Sequence, residues 1–271
     1  ERAGPPHAGR AAAPFVRAAC ANVSPPRAYK TAGVVLRGRN LGEADRIFTL
    51  FTTDRGKIDA VAKGVRRAKS HFAGRLEFMS EATLSLHRGR NLDIITAAEI
   101  STSCWNAVVQ PQAFAAASMI AEFIESFCEP DLALPEVYEL VIGAVAALGS
   151  IEDPLALIPR FSLRLLDALG LAPPCESCAR CGASLLGNGA WLDLESGGLA
   201  GSECQSSWRN VLELEAADVA NFRALAAPKV GGLRPAVRAT SGSRKAIEML
   251  IAHHLGRRPK AGVHAAEFVK P

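Results

Sequence analysis

The feature that most constrains the fold is a run of five short, partly alternating segments between residues 33 and 99. Each segment mixes β-branched or aromatic residues with polar ones, which is the pattern of a half-buried β-strand. The segments are residues 33–40, 46–53, 56–66, 76–87 and 91–99. Turn-forming residues separate them, including Gly42, Gly56, Gly74 and Gly89. Five strands at this spacing predict a small, closed or nearly closed β-barrel.

The same stretch carries a concentrated positive charge. Between Arg55 and Arg75, seven lysine and arginine side chains oppose one carboxylate, that of Asp59, so this window has a net charge of +6. The whole chain has a net charge of only +4, and its remainder is therefore slightly acidic. Such a block indicates a phosphate-binding surface, although runs of like charge also occur as plain solvated surface. Phe72 lies within the block, where an aromatic ring could stack on a nucleic-acid base.

Composition excludes several classes of protein. The most apolar stretch, residues 105–127, is interrupted by Gln110, Pro111, Glu122 and Glu125, so we predict no membrane span. The seven cysteines are an odd number, and three of them fall within seven residues. This usage favours a metal site in a reducing compartment over a disulfide scaffold, and we expect a cytoplasmic protein. We find no Walker loop, GxGxxG, GxSxG or HExxH motif, and we predict that the chain is not an enzyme.

The segments on either side of the barrel differ from it in composition and in the spacing of their apolar residues. Residues 1–30 are rich in Ala, Pro and Arg and predict a disordered leader. The alternatives are a transit peptide, an over-extended start, or an unstructured arm that adds affinity for phosphate. Apolar residues recur at helical spacing further along the chain, in residues 111–129, 135–148, 154–169, 213–225 and 241–255. The predicted units are a leader (1–30), a barrel domain (31–104), a helical bundle (105–172), a cysteine-containing segment (173–210) and C-terminal helices that pack on the bundle (211–271).

The cysteine-containing segment predicts a structural zinc site of the zinc-finger type. Cys178 and Cys181, followed by Gly182, form a CxxC knuckle whose thiolates point at one ion. The second knuckle is incomplete, because Cys204 has Gly201 and Ser207 at the neighbouring CxxC positions. Cys175 is our candidate for the missing sulfur. The predicted zinc ligands are Cys175, Cys178, Cys181 and Cys204.

The spacing of these cysteines is compatible with interpretations other than a four-sulfur zinc site. Three sulfurs alone, or a degenerate segment without metal, are compatible with the same spacing. A redox CxxC is less favoured, because the motif does not open a helix after a strand. A catalytic zinc is also disfavoured, because the only nearby acids are Glu176, Asp193 and Glu203 and no histidine accompanies them.

Three stretches of the barrel region resemble the RecO family of bacterial recombination mediators. They are GEADRI…LFT…GK (residues 42–57), AKGVRR.KS.F.GRLE (62–77) and L.RGRNLDII..AEI (86–100). The resemblance continues through CARCG…GGL to HHLGRR.K and covers residues 31–262. It departs at Gly201, where the family has the first cysteine of its second knuckle.

The resemblance implies a fold and a function. The fold class would be α+β and multidomain, with an N-terminal OB-fold β-barrel followed by an α-helical domain with an inserted zinc-finger-like segment. The function would be that of a non-enzymatic, nucleoid-associated mediator that binds single- and double-stranded DNA, anneals strands, engages the single-strand-binding protein and, with RecR, helps load RecA. An alternative is an interaction module that docks acidic partner tails, such as that of the single-strand-binding protein.

The resemblance also implies which residues contact DNA. Carried over by position, the phosphate contacts come from exposed cations of the barrel region. These are Arg37, Arg39, Arg46, Lys57, Lys63, Arg66, Arg67, Lys69, Arg75, Arg88 and Arg90.

Overall fold

The barrel consists of five strands in a computed structural model that describes residues 27–204, 212–227, 233 and 238–265. The strands are β1 (Ala28–Leu41), β2 (Asp45–Thr52), β3 (Gly56–Ala62), β4 (Ser80–His87) and β5 (Asp93–Ser103). They close in the order β1-β2-β3-β5-β4, with β3 and β5 parallel and every other pair antiparallel. This OB-like barrel, followed by helices and a small sheet, confirms the predicted α+β fold class. Strand β1 begins inside the predicted leader, of which residues 1–26 lie outside the described residues.

Alternating side chains fill the barrel, as the partial alternation in the sequence indicates. Phe48, Leu50 and Leu84 are among its buried residues. The long connection from β3 to β4 adds Phe72 and Leu76 to the same core. Phe72 is only 3% exposed, so the expectation that its ring stacks on a base is wrong. The ring instead anchors the connection to the barrel.

The helices follow the barrel and share one continuous core with part of it. They are α1 (Trp105–Val108), α2 (Pro111–Phe127), α3 (Pro135–Leu148), α4 (Leu157–Ala168), α5 (Ala216–Ala226), α6 (Ser241–Leu255) and α7 (Lys260–Ala265). Helices α2 and α3 begin with Pro111 and Pro135, as expected for proline in a first turn. Among the described residues, no helix is both long and apolar enough to cross a bilayer.

A small sheet lies in the cysteine-containing segment. Its strands β6 (Ala190–Asp193), β7 (Gly198–Ala200) and β8 (Leu212–Leu214) are arranged in the order β7-β6-β8. Leu192 and Leu199 on these strands are fully buried and join the helical core. The sequence did not predict this sheet, because strands of three or four residues are too short to show a period.

The barrel is tied to the helical domain through β3 and the loop before α3. Lys57 pairs with Pro130 in a parallel β-bridge, and its carbonyl accepts the Asp131 N–H at 2.9 Å. The Tyr138 hydroxyl donates to Glu81 on β4 at 3.1 Å, and the Tyr138 ring stacks on Phe51 with centroids 6.3 Å apart. Backbone and side-chain contacts therefore both join the two halves of the molecule.

Gly56 allows this close approach, and we expect Gly56→Ala to destabilise the fold. A Cβ at Gly56 would lie 1.8 Å from the Leu132 carbonyl oxygen, and the residue has a φ of +61°. The free energy of unfolding should fall by well over ~1 kcal/mol, because a clash adds to the left-handed backbone strain. Gly42 is a matched control, with a φ of +60° and nothing within 4 Å of an added Cβ. Equal losses for Gly56→Ala and Gly42→Ala in urea unfolding would contradict the assigned close contact.

Candidate nucleic-acid interface and metal centre

Within the part of the chain that the structure describes, a dense group of exposed cations lies on the connection between β3 and β4, which we call the basic loop (residues 63–75). It contains five cations and no carboxylate, and all five cations are exposed. They are Lys63, Arg66, Arg67, Lys69 and Arg75. A positive field with no internal counter-charge is suited to phosphate.

The basic loop is held against the barrel by its own backbone. The Arg66 N–H donates to the Ala44 carbonyl at 3.0 Å, and the Asp45 carboxylate accepts the Gly64 N–H at 2.7 Å. A guanidinium nitrogen of Arg66 also donates to the Gly42 carbonyl at 3.2 Å. Together with buried Phe72, these contacts place the loop beside the β1–β2 turn. Its cations are therefore displayed on a fixed frame rather than on a loose tail.

Three further predicted cations lie at the ends of other barrel strands. Arg46 is the second residue of β2 and donates from Nε to the Asn40 side-chain oxygen at 3.0 Å. Arg88 and Arg90 lie on the exposed β4–β5 loop, and the Arg88 guanidinium lies 5.5 Å from the centre of the Tyr29 ring. These three residues and the five cations of the basic loop make eight predicted DNA-contacting residues. None of the eight forms an ion pair with any residue that the structure describes.

The other three predicted contacts lie on the outer face of β1, β2 and β3 and are held by acceptors. We call Arg37, Arg39 and Lys57 the sheet-face cations. Arg37 pairs with Glu125 of α2 at 3.1 Å, and Arg39 pairs with Asp59 of β3 at 3.1 Å. The Lys57 ammonium donates to the backbone carbonyl of Glu125 at 2.6 Å. We call the eight exposed cations without an ion pair the open cations, although Arg46, Arg66 and Arg75 donate to neutral oxygens. Arg37 and Arg39 are instead paired with carboxylates, and Lys57 is half-buried and donates to a carbonyl.

A cleft of about 390 Å³ separates this face of the barrel from the helical domain. Three cations and four carboxylates line it, so the cleft has no excess of positive charge. The cations are Arg37, Arg55 and Lys57, and the carboxylates are Asp59, Asp93, Glu125 and Asp131.

Arg55 belongs to the charged window of the sequence but has a structural role here. It donates to Asp93 at 2.5 Å and to the Tyr29 hydroxyl at 2.8 Å, and it also pairs with Asp131. Burial and the hydrogen bond to Asp93 raise the pKa of Tyr29 to about 12. Burial opposes ionisation of Asp93, but hydrogen bonds from Tyr29 and Arg55 outweigh it and lower the pKa of the carboxyl. This network is not visible in the sequence, because Tyr29 falls in the predicted leader.

Three of the predicted zinc ligands come together. The sulfurs of Cys178, Cys181 and Cys204 all lie within 4.8 Å of one another. A tetrahedral zinc with Zn–S bonds of about 2.3 Å separates its sulfurs by about 3.8 Å, so this set fits three of four positions. Burial would raise the pKa of the Cys178 thiol, but backbone N–H donors led by that of Gly201 lower it to about 6. An ionised thiol is the form that binds zinc.

Cys175 lies outside this group. Its thiol donates to the Pro173 carbonyl at 3.2 Å, and burial raises its pKa to about 11. Gly201 lies at the cluster, with its N–H 3.5 Å from the Cys178 sulfur. A Cβ there would have only the Leu185 side chain as a near neighbour, at 3.4 Å. A cysteine at position 201 would thus be accommodated beside the three sulfurs, and its absence leaves a fourth position that these three do not fill.

These features define an OB-barrel protein with exposed cations at its loops, joined to a helical domain that carries a cysteine cluster. Two family models match the chain. Recombination protein O N terminal covers residues 27–104, and Recombination protein O C terminal covers residues 109–262. The chain therefore belongs to the recombination protein O (RecO) family, which confirms the resemblance found in the sequence.

Named relatives agree with this assignment. The DNA repair protein RecO of Bifidobacterium adolescentis is 40% identical over 176 residues, which cover 63% of this chain and 71% of the relative. That of Bifidobacterium longum is 39% identical over 63% of this chain and 72% of the relative. That of a Nocardioides species is 38% identical over 65% of this chain and 74% of the relative.

Proposed function

We propose that this protein is a non-enzymatic recombination mediator that binds and anneals single-stranded DNA and, with RecR, helps load RecA onto coated single strands. Membership of the RecO family places it in DNA repair and recombination. The observation that supports DNA binding and annealing is a set of eight exposed cations at the loops and strand ends of an OB-like barrel. None of the eight forms an ion pair with a described residue.

The positions of these cations support contact with a nucleic-acid strand. OB folds bind oligonucleotides with the β2–β3 face and with the β1–β2 and β4–β5 loops. The basic loop lies against the β1–β2 turn, and Arg88 and Arg90 lie on the β4–β5 loop. Contacts to phosphates position a strand without reading its bases. The bases then stay free to pair with a second strand, which is what annealing requires.

The proposed partners follow from the same chemistry. Double-stranded DNA offers the same phosphates, and we propose the single-strand-binding protein, RecR and, indirectly, RecA as protein partners in the bacterial cytoplasm. An acidic tail is an alternative occupant of the cationic surface. Competition between an acidic peptide and a DNA strand would show a shared surface.

We propose a structural role for zinc in the cysteine-containing segment. Cys178, Cys181 and Cys204 would hold the ion. Cys175, the fourth ligand predicted from the sequence, lies outside this group of three sulfurs. A bound zinc would cross-link the knuckle to the chain after β7, in a region with short strands and little core of its own.

The test of the DNA-binding proposal is the salt dependence of single-stranded DNA affinity. If the eight open cations each neutralise one phosphate, a plot of log K against log salt should have a slope of about −5 to −6, from about −0.7 per contact. Fluorescence anisotropy with a labelled oligonucleotide gives this slope directly. A flat response would remove the proposal, because cationic contacts to phosphate cannot be independent of salt.

A further inference from the structure

We propose that Glu125 and Asp59 keep the sheet-face cations from contacting DNA, so that a strand is gripped at the loops and Glu125 limits the affinity. The proposal rests on the proposed DNA binding and concerns how that surface is tuned. In OB folds the β2–β3 face contributes to strand binding together with the loops. In this chain, the acids lie on that face or reach across to it from the helical domain.

Glu125 holds two cations at once. Its carboxylate is 3.1 Å from a guanidinium nitrogen of Arg37, and its backbone carbonyl accepts the Lys57 ammonium at 2.6 Å. The Glu125 side chain is only 22% exposed, whereas that of Arg37 is 58% exposed. The acid is therefore fixed by α2 against the barrel, while the cation it binds remains within reach of solvent. A phosphate that approaches Arg37 would have to compete with the Glu125 carboxylate that is already paired with it.

Asp59 has the corresponding role within the barrel. One carboxylate oxygen accepts the Thr49 hydroxyl at 2.7 Å, which fixes its orientation on the outer face of β3. The other oxygen pairs with Arg39 at 3.1 Å. Both side chains are partly exposed, at 37% for Asp59 and 56% for Arg39. Each sheet-face arginine thus has its own carboxylate, which occupies the place of a phosphate.

The charge in the adjoining cleft points the same way. Its four carboxylates outnumber its three cations, so the cleft repels a polyanion more than it attracts one. The basic loop has five cations and no acid, and the β4–β5 loop adds Arg88 and Arg90. A strand that binds the loops must pass a face whose cations are neutralised. Removing one acid should therefore add a phosphate contact rather than merely change the total charge.

Glu125 can be neutralised at small cost to the fold. Burial raises its pKa, and the attraction of Arg37 and Lys57 offsets this only in part, so the pKa stays above its ordinary value. A net raised pKa means that the fold disfavours the ionised form relative to the unfolded chain. The contact of Lys57 is to the backbone carbonyl and survives a change of side chain. Glu125→Gln is therefore the suitable variant.

The experiment measures single-stranded DNA affinity of the full chain over a range of salt concentrations for wild type and Glu125→Gln. We expect Glu125→Gln to bind about fivefold more tightly at about 0.1 M salt, with a slope steeper by about 0.7, the value for one added phosphate contact. Arg37→Ala should have little effect in the wild type and should remove the gain in the Glu125→Gln background. Glu139→Gln on α3 is the control, because it removes one negative charge from the helical domain at an exposed residue that forms no ion pair with a described residue.

Two results would overturn the inference. One is unchanged affinity and slope for Glu125→Gln, and the other is an equal gain for Glu139→Gln. Neither would affect the proposed DNA binding, whose failure appears separately as a flat salt response of the wild type. If thermal unfolding shows that Glu125→Gln is poorly folded, Asp59→Asn takes its place, because it frees Arg39 without touching the helical domain. Asp59→Asn must then show the same gain, and its failure to do so overturns the inference.

Discussion

Charge reversal at both Arg66 and Arg67 is expected to weaken single-stranded DNA binding by about 25-fold or more at about 0.1 M salt. Each phosphate contact contributes about 0.7 to the slope of log K against log salt, which is about fivefold in affinity at this concentration. Two lost contacts therefore account for about 25-fold, and the new negative charges add repulsion. The slope of log K against log salt should become shallower by about 1.4.

The matched control for this double change is Arg244→Glu with Lys245→Glu on α6. It alters the net charge by the same amount, again at two adjacent positions, on a helix remote in sequence from the barrel. We expect this control to retain most of the affinity and the full slope. Helix content and thermal unfolding of both variants should match the wild type, because none of the four side chains is buried. Equal losses for the two variants would assign binding to net charge rather than to the basic loop.

Cys178→Ser is expected to reduce bound zinc from about one ion per chain to almost none and to unfold the cysteine-containing segment. Cys178 is 3% exposed and its sulfur lies within 4.8 Å of those of Cys181 and Cys204. Structural zinc contributes on the order of 10 kcal/mol in isolated zinc-finger peptides, so its loss should be visible in thermal unfolding. Elemental analysis of the purified chain measures the metal directly.

Two further variants decide the fourth ligand. Cys175→Ser should leave the zinc content nearly unchanged, because its thiol lies outside the cluster and bonds to Pro173. Gly201→Cys should slow the loss of zinc to a chelator, because it places a fourth sulfur beside Cys178. Loss of zinc in Cys175→Ser would instead establish Cys175 as a ligand. Retention of zinc in Cys178→Ser would show that these cysteines do not hold it.

Much of the barrel was predictable because its signals are local. Alternation and turn glycines such as Gly42 and Gly56 mark the strands, and Pro111 and Pro135 mark the starts of two helices. The charged window was visible as well, since it depends only on composition. Its cations could be located in the sequence without any knowledge of their neighbours.

What the sequence did not show is which cations are open. The Lys57 ammonium donates to the carbonyl of Glu125, which is 68 residues away in the sequence. No local sequence pattern predicts such a contact between a strand and a distant helix. Phe72 is similar, because an aromatic residue in a basic loop reads as exposed until the loop is seen to fold back on the barrel. Spacing alone predicts Cys175 as a ligand, and in the structure its sulfur lies outside the group formed by the other three.

The bridge between Lys57 and Pro130 has a mechanical consequence. A hinge motion between the barrel and the helical domain needs free space at their junction. At Gly56 that space is filled by the backbone carbonyl of Leu132. We therefore expect a force applied to the barrel to be transmitted directly to the helical domain. Force-based unfolding should consequently release both halves in one step, with no early event in which the barrel detaches.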